Sequence, residues 1–160
     1  ATSVVHQFTP YTEGKQVSLV LELDQAVPIC KADPVRLAQI ASNLISNAIK
    51  FSPSGSVVTV RTFSRNDHLR FEVEDNGPGI PAGEMEMLFQ EFARLSNRPT
   101  GGEKSSGVGL SIARHLVELH GGRIGAQSEV NVGSLFWFEM PYDVPHAGEP
   151  DNETDDTTTT

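Results

Sequence analysis

The stretch Asp33–Ser52, DPVRLAQIASNLISNAIKFS, constrains this chain more than any other. Asp33 is a good N-cap, and Pro34 fits the first helical position, where a missing N–H costs nothing. Leu37, Ile40, Ala41, Leu44, Ala48 and Phe51 recur at helical spacing, so one stripe faces a core. Asn43, Asn47 and Lys50 follow at i, i+4 and i+7. At about 100° per residue they fall within roughly 60° of one another, beside the apolar stripe. Two amides and an ammonium therefore line the rim of a core-facing helix. Asn is a mediocre helix former, so two of them on one helical line need a reason. Taken alone, the helix is equally consistent with a polar flank that happens to carry Asn.

The flanking sequence is β-like. Val17–Leu23 alternates, with Val17, Leu19, Leu21 and Leu23 on one side and Ser18 and Glu22 on the other, as a half-buried strand does. Upstream, Ser3–Glu13 reads as one or two helical turns interrupted at Pro10. Gln25–Ala32 is a loop. After a Pro53-Ser54-Gly55 turn, Ser56–Phe63 is rich in Val and Thr and reads as a strand. Asn66-Asp67 predicts a hairpin into the strand Leu69–Asp75. There Leu69, Phe71 and Val73 point one way, and Arg70, Glu72 and Glu74 the other. Asp75 continues the apolar register, which aims a carboxylate at the interior. That is costly unless something donates hydrogen bonds to it. Asn76-Gly77-Pro78-Gly79-Ile80-Pro81 follows at once, and its glycines permit tight turning and close approach of backbone to a ligand. A turn Asp bonded to its own backbone is the alternative, and the inward register stands against it.

Gly83–Leu95 reads as a helix with Met87, Leu88, Phe92 and Leu95 on one side, Phe89 and Phe92 being core candidates, and Arg94 near its end. Ser96–Ser106 is rich in Asn, Pro, Thr, Gly, Lys and Ser. A loop of that length is either a lid over a site or simple disorder. It ends in Ser105-Ser106-Gly107-Val108-Gly109-Leu110, where the apolar helical pattern Val108, Ile112, Ala113, Leu116, Val117, Leu119 begins; Gly121-Gly122 stops it. Glycines at a helix start leave backbone N–H groups bare at the positive end of the helix dipole, which suits an anion, although glycine there also serves as a simple cap. Gly122-Arg123-Ile124 opens a further strand, and Leu135–Met140 is another, ending at Pro141.

With 160 residues the chain fits one domain with a sizeable core. Its one cysteine, Cys30, excludes an internal disulfide and fits a reducing compartment. No apolar run approaches membrane-spanning length, and no signal-peptide pattern is present. The chain begins at Ala1 rather than Met, from which a piece of something larger is expected. Net charge is −9, but six of the 21 acids lie after Pro141 with no Lys or Arg among them, so the part before it is near balance. Nothing suggests a nucleic-acid surface. After Tyr142 the chain is dominated by Pro, Gly, acids and a final run of four threonines, with too little apolar content to fold alone, and residues 142–160 are expected to be an acidic, disordered tail or linker.

The helix with Asn43 and Asn47, the DNGPGIP turn, the LFQEFARL segment and the SGVGL helix start resemble, in that order, the N, G1, F and G2 boxes of sensor histidine kinases. The resemblance runs from about Val4 to Pro141. Residues 1–141 are accordingly identified as a member of the ATP-binding (catalytic) domains of that family, within the GHKL superfamily. The resemblance implies an α/β Bergerat fold, a two-layer sandwich in which a mixed sheet is packed on one face by helices. It also implies ATP and Mg²⁺ as cofactors.

On this resemblance Asp75 accepts from the adenine amino group, while Gly77, Gly79 and Ile80 bring backbone close to the base. Asn43 offers its amide oxygen to Mg²⁺, Asn47 bonds phosphate or metal-bound water, and Lys50 meets a phosphate charge. Arg94 approaches the triphosphate and Phe92 lines the site. Gly107, Val108, Gly109 and Leu110 cradle phosphates through backbone amides, with Ser106 and Lys104 contributing from the loop. Asn43, Lys50 and Arg94 are the expected catalytic set. Two departures are visible: Ser105 stands where a glycine is common, and the lid is modest in length.

The hydrolysing branch of the superfamily carries a Glu one helical turn before the Asn-Ala pair. That place is Asn43 here, and Asn is not a usable general base near neutral pH. An autonomous ATPase, a nucleotide-holding pseudokinase and a small Ser kinase are the rival readings. None of His6, His68, His115, His120 and His146 is followed by an acid, so no phosphoacceptor motif is present. The resemblance implies transfer of the γ-phosphate to a His in a separate dimerisation domain. It also implies a response regulator or receiver domain downstream, to which the tail is a candidate linker. The expected location is cytoplasmic, free or as the cytoplasmic part of a membrane-bound sensor, without direct membrane contact by this domain.

Overall fold

The computed structural model describes residues 2–93, 95–100 and 107–142. In chain order they form α1 (Thr2–His6), α2 (Thr9–Lys15), β1 (Ser18–Leu23), α3 (Pro34–Phe51), β2 (Val57–Arg65) and β3 (His68–Asp75). A short 3-10 helix (Ala82–Met87), α4 (Gly109–Leu119), β4 (Arg123–Glu129) and β5 (Gly133–Pro141) follow. The strands make one mixed sheet in the order β1-β2-β3-β5-β4. β1 and β2 are parallel, which requires a crossover, and α3 supplies it. The other pairs are antiparallel. Asn66 and Asp67, at φ of 47° and 60°, turn the β2–β3 hairpin in the left-handed geometry such a two-residue turn requires.

α3 starts where its cap predicts: Asp33 Oδ1 accepts from the Val35 N–H at 2.8 Å. Ile40, Leu44, Ile45 and Ala48 are fully buried against the inner face of the sheet, which contributes Val58, Val60, Val73 and Phe138. Phe71 and Phe138 stack across β3 and β5 with centroids 4.9 Å apart. α4 packs beside α3 and over β4 and β5. The fold is thus a two-layer α/β sandwich with its helices on one face of a mixed sheet. At the chain start Pro10 occupies the first turn of α2 instead of interrupting a helix, and the break falls at Gln7-Phe8.

Further expectations fail. The helix predicted over Gly83–Leu95 is only a 3-10 segment ending at Met87, followed by turns. Phe92 sits at φ 56°, which no right-handed helix accommodates, and its N–H donates to the Gly107 carbonyl at 3.0 Å. Phe92 is consequently 71% exposed and not in the core. On α4, Ile112 and Leu119 face outward, leaving Ala113, Leu116 and Val117 as the buried stripe. On the outer face of the sheet, Arg70 is buried although strand alternation directs it to solvent. The Trp137 ring lies 3.9 Å from its guanidinium, and Glu72 and Glu139 each accept from it at 2.9 Å. Gly125, opposite Trp137 in the register, leaves the space the indole fills.

Candidate functional site

The inner ends of these elements enclose a cavity of about 680 Å³. α3 contributes Asn43, Asn47, Lys50 and Phe51, and β3 contributes Asp75. The turn after β3 brings Pro78, Gly79 and Ile80, and the start of α4 brings Gly107, Gly109 and Leu110. The helical line of Asn43, Asn47 and Lys50 therefore opens onto the same space as the inward carboxylate, although 25 residues separate Lys50 from Asp75 in the chain.

Asp75 is 4% exposed. Burial raises its pKa to about 6, against the opposing pull of the Gly77 and Ser134 backbone N–H donors. The Gly77 N–H lies 2.9 Å from Oδ1. A Cβ on Gly77 would stand 2.8 Å from both that oxygen and the Phe51 carbonyl, so only glycine passes between them. Gly79, at φ 71°, runs so close to the Glu129 carbonyl that any side chain would collide with it. The turn is thereby held flat beneath the cavity. Ser128 adds a tie from β4: its hydroxyl accepts from the Ile80 N–H at 2.8 Å and donates to the Gly133 carbonyl at 2.9 Å.

Asn43 Nδ2 donates to the Gly109 carbonyl at 3.0 Å, which joins α3 to the first residue of α4. Its amide oxygen has no hydrogen-bond partner among the described residues, and an amide oxygen is what a hard divalent cation takes. No cluster of three or more His, Cys, Asp or Glu able to hold a metal exists among the described residues. Mg²⁺ keeps waters and phosphate oxygens and needs only one or two protein ligands, a role open to an amide oxygen. α4 begins without a side-chain cap at Val108, leaving its first N–H groups to another acceptor.

Of the residues expected at the site, Asn43, Asn47, Lys50, Asp75, Gly79, Ile80, Phe92, Gly107, Gly109 and Leu110 line the cavity. Gly77 and Val108 are not part of its wall; Gly77 donates to Asp75 and Val108 is the N-cap of α4. Arg94, Lys104 and Ser106 lie outside the described residues. The sequence reading missed Ser46, Asn97, Arg98 and Ser134, which also line the space. Ser46 was legible, lying three residues after Asn43 on the same helix. Ser134 was not, because its place beside Asp75 follows from the β3–β5 pairing. Lys50 and Arg98 are the cations of the cavity wall among the described residues.

Residues 32–144 match the family model of histidine kinase-, DNA gyrase B- and HSP90-like ATPases. The chain belongs to this family. Within it, the chain is similar to the circadian input-output histidine kinase CikA of Synechococcus elongatus, with 41% identity over 79% of the chain and 17% of CikA. Among solved structures, ShkA in complex with AMPPNP superimposes with a TM-score of 0.76 at 30% identity, over 88% of this chain and 29% of that one. The catalytic domain of the histidine kinase ThkA superimposes with a TM-score of 0.75 at 29% identity, over 88% of both chains. ThkA has also been solved with the response regulator TrrA. The chain spans 17–38% of the length of the curated relatives it matches. It is an ATP-binding domain of the sensor histidine kinase type. Among the described residues no helix is long and apolar enough to cross a membrane.

Proposed function

We propose that this domain binds Mg·ATP and presents the γ-phosphate to a His carried by a separate dimerisation domain of the same parent kinase. The observation that carries this reading is the shared cavity. A buried carboxylate stands at one end, and the Asn43–Asn47–Lys50 line runs from it toward the uncapped start of α4. In this reading Asp75 accepts from the exocyclic amino group of adenine, and Ile80 and Phe92 border the nucleotide. The backbone of Gly107, Val108, Gly109 and Leu110 donates to phosphates, as helix starts do. Asn43 would hold Mg²⁺ through its amide oxygen, Asn47 would bond phosphate or metal-bound water, and Lys50 would neutralise phosphate charge. Arg94, Lys104 and Ser106 complete the phosphate contacts from the adjoining segments. Bound Mg²⁺ supplies charge neutralisation of the triphosphate.

Hydrolysis is disfavoured by Asn43 itself, which occupies the place where a general base would have to stand. Phosphoryl transfer depends on in-line placement of the nucleophile, and His115 is a solvent-exposed residue of α4 remote from any acceptor motif. The parent protein then works in the cytoplasm, with a response regulator or receiver domain as the next acceptor; ThkA, a structural neighbour, pairs with such a regulator. Residues 143–160 serve as an acidic tail or linker; Tyr142, expected to belong to it, is instead tied to the domain by its bridge to Cys30 and by its N–H bond to the Asp67 carbonyl.

The chain alone, incubated with γ-labelled ATP and Mg²⁺, is expected neither to label itself nor to release phosphate appreciably. Addition of the parent's His-bearing helices should yield an acid-labile, base-stable phosphoprotein. Strong self-labelling would place the acceptor inside this chain, and rapid phosphate release would make it an ATPase.

A further inference from the structure

The Lys50 carbonyl has an unusual surplus of donors. Lys15 Nζ, from α2, lies 2.7 Å from it and 2.8 Å from the Ile49 carbonyl. Thr100, from the segment that follows the 3-10 helix and its turns, reaches the same Lys50 oxygen with its N–H at 3.0 Å and its hydroxyl at 3.2 Å. The Thr100 hydroxyl also lies 2.8 Å from the Ser52 carbonyl. These are the last carbonyls of α3, at the negative end of the helix dipole, where an ammonium is favourable. Lys50, whose carbonyl is gripped, and Phe51, which lies between the gripped carbonyls of Lys50 and Ser52, both line the cavity. The Phe51 carbonyl itself abuts Gly77, beside the Asp75 carboxylate. Asn97 donates its amide to the Gly79 carbonyl, so residues 97–100 run from the turn after β3 to the end of α3 along the cavity wall. On the opposite flank of α3, Gln7 bonds Ser42 at 2.8 Å and Gln16 accepts from the Gly55 N–H at 2.8 Å, so the α1–α2 segment follows α3 along its length.

We propose that Lys15 and Thr100 are a pair of positioning residues that clamp the end of α3 from two sides and thereby set the Lys50 and Phe51 side chains for nucleotide binding. The N-terminal helix α2 is coupled to the nucleotide site through the Lys50 carbonyl. Neither residue touches the nucleotide: each acts through the backbone of α3. The inference rests on the cavity being a nucleotide site, as proposed above. It goes beyond that reading by assigning control of the site to a residue of α2, outside all four boxes.

The test is calorimetric titration of the whole chain with Mg·ATP for Lys15→Met, Thr100→Val, the double variant, and the conservative Lys15→Arg and Thr100→Ser. Thr100→Val keeps shape and backbone N–H and removes only the hydroxyl. Each disruptive single variant is expected to weaken binding by about three- to tenfold, the range for one lost hydrogen bond. The double variant should weaken it by less than the product of the singles, because both act on one carbonyl. Lys15→Arg and Thr100→Ser should restore wild-type affinity. Asp75→Asn, titrated alongside, separates the two claims. If it binds Mg·ATP like wild type, the nucleotide reading itself fails. If it loses affinity while Lys15→Met and Thr100→Val, both shown folded by thermal melting, keep the wild-type Kd, the clamp is overturned. Strictly multiplicative effects would also overturn it, since they would mean two independent contacts.

Discussion

Asp75→Asn is expected to weaken ATP binding by about 1.5–3 kcal/mol, the range for a hydrogen bond to a charged group, and to reduce discrimination against GTP. The same substitution should stabilise the unliganded chain. Asp75 is buried, and its pKa is raised from 3.8 to about 6 chiefly by that burial. In the window between those values the native state holds a proton that the unfolded state has released, so stability falls as pH rises through it. Below the window the carboxyl is neutral in both states and nothing is lost; above it the cost of burying the charge is complete, at most about 3 kcal/mol. Asn carries no such charge and keeps the oxygen that accepts from Gly77. The melting temperature of Asp75→Asn should therefore approach that of wild type below the window and exceed it at pH 7–8, by an amount corresponding to about 1–3 kcal/mol. ATP affinity of the wild type should rise between pH 5 and 7 as the accepting carboxylate forms. A calorimetric titration with unchanged affinity would refute the adenine assignment, and a lower melting temperature at pH 8 would refute the buried-charge account.

The second large effect concerns Asn43. Asn43→Ala should lower phosphoryl transfer to the parent's His by about two orders of magnitude or more, and should flatten the Mg²⁺ dependence of nucleotide binding. The fold should survive, because Asn43 is on the flank of α3 and its one side-chain bond among the described residues is to the Gly109 carbonyl. Losing that bond costs about 0.5–1.5 kcal/mol of stability. Transfer at the wild-type rate would remove the metal role. A large loss of thermal stability without ligand would make Asn43 a structural tie between α3 and α4 instead.

Much of the site was readable because its residues obey the local period of their element. The line of Asn43, Asn47 and Lys50 needs only 3.6 residues per turn, and the inward aim of Asp75 needs only alternation along β3. The features that escaped depend on residues distant in sequence. Gly83–Leu95 carries a helical pattern, but the bond from the Phe92 N–H to the Gly107 carbonyl wins over it, and nothing in the segment announces that partner. Arg70 obeys alternation and still ends up buried, because Trp137, two strands further along the chain, covers it from the space that Gly125 leaves open. The grip of Lys15 on the end of α3 spans 35 residues and belongs to no motif.

β5 lies between β3 and β4 although it is the last strand made. Its Ser134 N–H is one of the two donors holding Asp75, and its Phe136 forms part of the cavity wall. During synthesis, then, a ribosome-tethered chain that has exposed everything up to β4 still has a three-stranded fragment with an unpaired β3 edge and an under-supported carboxylate. The pocket is complete only once β5 occupies its place between β3 and β4. ATP enters as a ligand of the finished domain, and stabilises it by mass action only from that moment.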